Sequence, residues 1–187
     1  MSPRAGIDSH LILKAVIEIA DQQGANAVTI SSVAKELGIR PPSLYNHVSG
    51  LDELKKMLAL YALDQLYHCI SDAVEGKEGE TAIRDFAVSY ISYAREHPGL
   101  YEAAQFAPSA EDREVSEASH RIVGLVLKLL QSYHLPEEQA LHTVRGIRSL
   151  VHGFAALELQ GGFRIPLDLQ DSLEYNLNLI FKGLSHG

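Results

Sequence analysis

Apolar positions recur along this chain at intervals of three and four residues, and nowhere in the sustained alternation of a strand. Ile7, Leu11, Ile12, Ala15, Val16, Ile19 and Ala20 share one helical face over residues 8–23, and Gly24 stops the run. Thr29 stands where it can cap a second helix over 30–37, and Gly38 is suited to end it in the left-handed conformation. A short third helix is predicted over 41–48. Ser49-Gly50-Leu51-Asp52 carries a capping-box pattern for a long fourth helix through 74. Polar 75–80 reads as a loop, 81–96 as a fifth helix, and 100–106, beyond Pro98-Gly99, as a short sixth. Ser109-Ala110-Glu111-Asp112 caps a seventh to about 133. Pro136, with Glu137 and Glu138 near the positive end of the dipole, opens an eighth to about 160. Asp168 begins a ninth that fades near 183. The fold class predicted is all-α, a three-helix head over 1–50 and a larger helical body over 51–187.

The most informative stretch runs from Thr29 to Val48, two short helices around a tight glycine-bearing turn, which is the helix-turn-helix pattern. Val33, Ala34 and Leu37 supply an inward face, Ile39 fills the turn, and Leu44 and Val48 anchor the second helix. Arg40 precedes a proline, which drives it into the extended geometry of an N-cap, and Pro41 and Pro42 fit a first turn where no intrahelical N–H is lost. Ser43, Tyr45, Asn46 and His47 are left outside, short polar and aromatic groups suited to a DNA major groove.

The block Ala34-Lys35-Glu36-Leu37-Gly38-Ile39, then Ser43-Leu44-Tyr45-Asn46-His47-Val48 and Leu51-Asp52-Glu53-Leu54, resembles the DNA-binding head of the tetracycline-repressor (TetR) family over residues 8–57. The resemblance implies phosphate contacts from Tyr45 and His47, and a groove-facing set of Arg40, Pro41, Ser43 and Asn46, with Thr29 completing the DNA-binding residues. Two positions depart from the family. Arg40 stands where many members have serine or threonine, and Leu51 where many have a lysine that meets phosphate. Farther on, Arg148-Ser149-Leu150-Val151-His152-Gly153-Phe154 resembles a TetR-family C-terminal domain named for tryptophan, histidine and glycine, with Arg148 at the tryptophan position. The family implies a homodimeric regulator, more often a repressor, that binds a palindromic double-stranded operator and is released by a small-molecule effector.

Charge distribution fits that reading better than its sum of -8 does. Residues 1–60 hold six basic and six acidic side chains, the remainder ten and eighteen, so a neutral head joins an acidic body that phosphate repels. The longest apolar stretch, Met57–Leu63, falls far short of a membrane span, which takes about 20 residues. No signal-peptide core follows Met1, and Cys69 is the sole cysteine, so a cytoplasmic location and no intrachain disulfide are expected. Nine histidines form no HxxxH or HxxEH pair, and no nucleophile elbow, P-loop or GxGxxG is present. No metal, cofactor or enzymatic activity is therefore expected.

Two further sites are expected in the body. Tyr90, Tyr93, His97, Tyr101 and Phe106 cluster around the fifth and sixth helices, either as ordinary packing or as the wall of an effector pocket. Arg148 and His152, four apart on an apolar helix, could hold polar ligand groups, or Arg148 could pair with Glu158. The eighth and ninth helices are apolar on more than one side and so require a second cover. The expected dimer interface is Val144, Ile147, Val151, Phe154, Leu169, Leu173, Leu177 and Ile180, with Gly146 and Gly153 as gaps for close helix approach, in a four-helix bundle with the two-fold mates. The alternative reading is an all-α small-molecule or protein-binding module without DNA binding.

Overall fold

Side-chain caps decide where several of the helices begin. In the computed structural model, which describes residues 7–106 and 112–185, the carboxylate of Asp8 accepts the Leu11 N–H at 2.8 Å and starts α1 (Ser9–Gln23). Thr29 and Ser32 cap each other reciprocally at the start of α2 (Ile30–Glu36): the Thr29 hydroxyl accepts the Ser32 N–H at 3.0 Å and the Ser32 hydroxyl accepts the Thr29 N–H at 2.9 Å. Arg40, extended at φ −82°, leads into α3 (Pro41–Leu44). Before α4 (Leu51–Val74) the acid that bonds back to Ser49 is Glu53 and not Asp52, and the Ser49 hydroxyl donates to it instead of accepting a helix N–H. One Glu53 carboxylate oxygen accepts both the Ser49 N–H at 2.6 Å and the Ser49 hydroxyl at 2.8 Å, a return that needs the longer side chain. That bonding holds the Glu53 carboxyl below its ordinary value.

The remaining elements are α5 (Gly79–Glu96), α6 (Pro98–Ala104), α7 (Arg113–Leu129), α8 (Glu137–Leu159) and α9 (Leu169–Leu184). Every regular element among the described residues is helical, as the apolar spacing predicts. Several boundaries shift, α5 among them, which begins at Gly79 inside the stretch expected to be a loop. The third helix is one turn, because Asn46 and His47 donate to carbonyls three residues back and the chain tightens after Leu44. The sixth helix starts at Pro98, whose missing N–H costs nothing in a first turn. The seventh ends at Leu129, and residues 131–133 form a separate 3₁₀ turn closed by His134 at φ +51°. Its expected cap residues Ser109, Ala110 and Glu111 lie outside the described residues, as does the Met1–Gly6 segment.

The described residues divide into two compact units. One comprises residues up to Gln65 together with His97–Ala118, the other Leu66–Glu96 together with Ser119 onward. In the first, α1 packs on α2, α6 and the 3₁₀ turn Ala25–Ala27, closing over Ile12, Val16, Val33, Leu44 and Leu58, all fully buried. In the second, α5 packs on α8 and α9 around Ile83, Phe86, Ile147, Val151 and Leu177. Arg84 ties α5 to α9: its guanidinium donates to the Glu174 carboxylate and, at 2.6 Å, to Asn178 Oδ1, and lies 4.8 Å above the Phe181 ring. No helix among the described residues is long and apolar enough to cross a membrane.

Candidate nucleic-acid interface and body sites

The turn between α2 and α3 is set by backbone bonds. Ile39 N–H reaches the Ala34 carbonyl at 2.9 Å, Gly38 N–H reaches Lys35, and Gly38 sits at φ +67°, which together make a Schellman ending. A side chain at residue 38 would be strained by that φ. Leu44 is wholly buried and Val48 nearly so, which holds α3 down by its inner face. Thr29, Arg40, Pro41, Ser43, Tyr45, Asn46 and His47 all remain exposed, with 57% of Tyr45 accessible. Six of these, from Arg40 to His47, lie in one short segment. Thr29 lies apart from it, at the start of α2, where its hydroxyl also carries the cap. The arrangement presents one cation and several hydrogen-bonding groups from a rigid turn, which suits phosphate and base-edge contacts.

The seven residues expected around an effector fall in both compact units. Tyr90 and Tyr93 on α5, with Arg148 and His152 on α8, belong to the second unit, whereas His97, Tyr101 and Phe106 belong to the first. Tyr90, Tyr93 and Tyr101 are buried, His97, Phe106 and Arg148 half-buried, and His152 exposed. Phe106 instead carries the Lys55 ammonium 5.9 Å from its ring. Glu158, the acid considered for Arg148, is held by Arg95 through two hydrogen bonds of 2.9 and 3.1 Å. That pair holds the Arg95 guanidinium above its ordinary value. Of the cavities in the second unit, two are walled by residues other than these seven. One, of about 650 Å³, lies among Tyr67 and Asp72 of α4, Leu125 and Lys128 of α7, and the loop after α4. The other, of about 270 Å³, is bounded by Ile91 and Arg95 of α5, Phe154 and Glu158 of α8 and Leu169 of α9. Spacing along one helix could not show either cavity, since each draws its wall from several elements.

The residues expected at the interface differ in how far this chain itself covers them. Val144, Ile147, Val151, Leu173 and Leu177 are at most 2% exposed within this chain, because they form the face that α8 and α9 turn toward α5. Phe154, Leu169 and Ile180 stay half-buried. The apolar side chains left outside on the two helices are Leu141, Leu157, Leu159, Tyr175 and Leu179. Added Cβ atoms at Gly146 and Gly153 would meet open space, so those two gaps face away from the core.

Residues 83–180 match the family model described as the tetracyclin repressor-like C-terminal domain. Over 185 residues the chain is 38% identical to an HTH-type transcriptional regulator of Bacillus subtilis (strain 168), covering 98% of this chain and 96% of that one. The chain belongs to the TetR family of transcriptional regulators. Its fold agrees with solved structures at lower identity. A protein from Rhodococcus sp. RHA1 superposes with a TM-score of 0.80 at 20% identity, covering 98% of each chain. A TetR protein from Acinetobacter baumannii AYE, solved in complex with minocycline, superposes with a TM-score of 0.68 at 17% identity, covering 97% of this chain and 98% of that one. As a TetR-family member the chain is a helix-turn-helix regulator and not an enzyme.

Proposed function

We propose that this TetR-family chain is a homodimeric, ligand-responsive repressor that acts in the cytoplasm on a palindromic double-stranded operator. Residues 1–50 serve as the DNA-binding domain and 51–187 as the ligand-binding and dimerisation domain. The observation that carries the reading is the exposed set Arg40, Pro41, Ser43, Tyr45, Asn46 and His47, held outward by buried Leu44 and Val48. Dimerisation uses the second stripe of each helix: Gly146, Leu150, Gly153 and Leu157 on α8, and Tyr175 and Leu179 on α9, spaced by three and four residues away from the buried stripe. Two heads related by a two-fold axis then present α3 to successive major grooves about 34–36 Å apart. An effector in the second unit, held by Tyr90, Tyr93, Arg148 and His152, lowers operator affinity by preferring a state with the wrong head separation. The minocycline-bound neighbour supports a ligand in this fold.

Selection of bound fragments from genomic DNA tests the reading. Replacing Ser43 or Asn46 should cost on the order of 1–3 kcal/mol at one base position and relax specificity there. Tyr45→Phe should weaken all sites alike, as the loss of a phosphate hydrogen bond does. Retention of no duplex below micromolar concentration at about 100 mM salt, where nonspecific binding alone is weak, sinks the proposal and favours a binding module without DNA.

A further inference from the structure

Residues 97–106 and 112–118 pack with the first unit, although the chain reaches them from α5 and leaves them along α7, and both helices carry residues of the other unit. Three anchors hold them there. Gly99 lies so close to α1 that a Cβ would overlap the Ala20 carbonyl. Lys56 of α4 meets Asp112 at 2.9 Å and Glu114 at 2.6 Å, at the start of α7. Glu102 of α6 reaches the turn after α1: one carboxylate oxygen accepts the Ala25 N–H at 3.1 Å, and the other accepts from the Asn26 amide at 2.5 Å.

The third anchor has consequences for the head. Ala25 is completely buried, so its N–H needs an acceptor, and Glu102 supplies a charged one from 77 residues away. The turn Ala25–Ala27 leads directly into the Thr29 cap. The Ser32 hydroxyl that completes that cap also donates to the Ala27 carbonyl at 2.8 Å. A series of hydrogen bonds therefore runs from Glu102 through the turn and cap into α2, and the chain enters α3 just after the Schellman ending of that helix.

We infer that Glu102 is a positioning residue, fixing the direction in which α2 and α3 leave α1 and hence the operator half-site spacing that a dimer accepts. The inference rests on the proposed DNA-binding reading. It gives α6 a role beyond packing, as the element that holds the turn after α1.

The test uses the full chain and operators selected by the wild type, with half-sites at the selected spacing and moved one base pair closer or farther. The measured quantity is the ratio of affinities for the selected and altered spacings, which does not depend on the fraction of protein folded. Glu102→Ala should reduce this discrimination by about tenfold, the scale of losing one charge-assisted hydrogen bond and leaving its buried donor unmet. Glu102→Gln, which keeps an acceptor for the Ala25 N–H, should restore most of it. Exchanging donor and acceptor in the pair Asn26→Asp with Glu102→Gln should restore it further than Asn26→Asp alone. Equal discrimination by wild type and Glu102→Ala overturns the positioning role even if the variant is less stable. A wild type that retains no DNA overturns the DNA-binding reading itself, an outcome visible without any variant.

Discussion

Around α3 the side chains left outside are short or polar, Ser43, Asn46 and His47 among them, whereas along α8 and α9 they include Leu141, Leu157 and Leu179. The cores beneath are equally closed: Leu44 under α3 and Leu177 on α9 are both fully buried. The contrast therefore lies in what each surface still requires. A polar outer face is satisfied by water until a partner offers hydrogen bonds and charge, so it can bind and release. An exposed apolar face gains by being covered whenever a cover is present, and a second copy of the same chain is always available at working concentration.

The largest expected effect tests whether the two cores are independent. Leu44→Ala should cost about 2–5 kcal/mol, the range for emptying a well-packed site. Hydrogen exchange should then rise throughout α1–α3 while α8 stays protected. Uniform loss of protection would mean that the two units unfold as one.

A pair of substitutions sharpens the contrast between the buried and outer stripes of α9. Leu173→Glu places a charge in the core and should leave little folded protein. Leu179→Glu, at a side chain 51% exposed, should change the stability of a single chain by no more than about 0.5 kcal/mol. It should nonetheless move light-scattering mass from twice 20.5 kDa toward the single-chain value. Unchanged mass for Leu179→Glu would remove this stripe from the dimer interface.

The smallest effect concerns the cap of α4. The Glu53 carboxyl is held below its ordinary value of 4.5, chiefly by the Ser49 N–H and then by the Ser49 hydroxyl. A lowered folded value means that the contribution is complete above about pH 4.5 and is lost as pH falls through the folded value. Glu53→Gln should therefore be less stable than wild type near neutrality, by on the order of 0.5–1 kcal/mol as for other caps. The two should converge in acid. A gap that persists at a pH low enough to protonate the Glu53 carboxyl in the folded protein would assign the loss to packing instead of charge.

How much could be read from sequence follows the same division. In the head, Thr29, Gly38 and the Pro41-Pro42 pair each act on backbone within a few residues, so their roles were legible in order along the chain. That Glu53 and not Asp52 reaches back to Ser49 escaped, since side-chain reach and not residue type decided between adjacent acids. In the body, periodicity showed that α8 and α9 are apolar on more than one side, but not which stripe the chain itself buries. Val144, Ile147, Val151, Leu173 and Leu177 carry the stronger pattern because they are core, and the weaker stripe with Gly146 and Gly153 is the one left outside.

Sequence alone determined the helices, most of their ends, the helix-turn-helix and the family, because hydrogen-bonded turns, caps and proline geometry are local in the chain. Tertiary structure decided which apolar face of a helix is buried, that Arg95 and not Arg148 takes Glu158, and that Glu102 reaches the turn after α1. Those outcomes depend on which distant segments meet, and a side chain's chemistry names the partners it can accept without naming the one that packing brings to it.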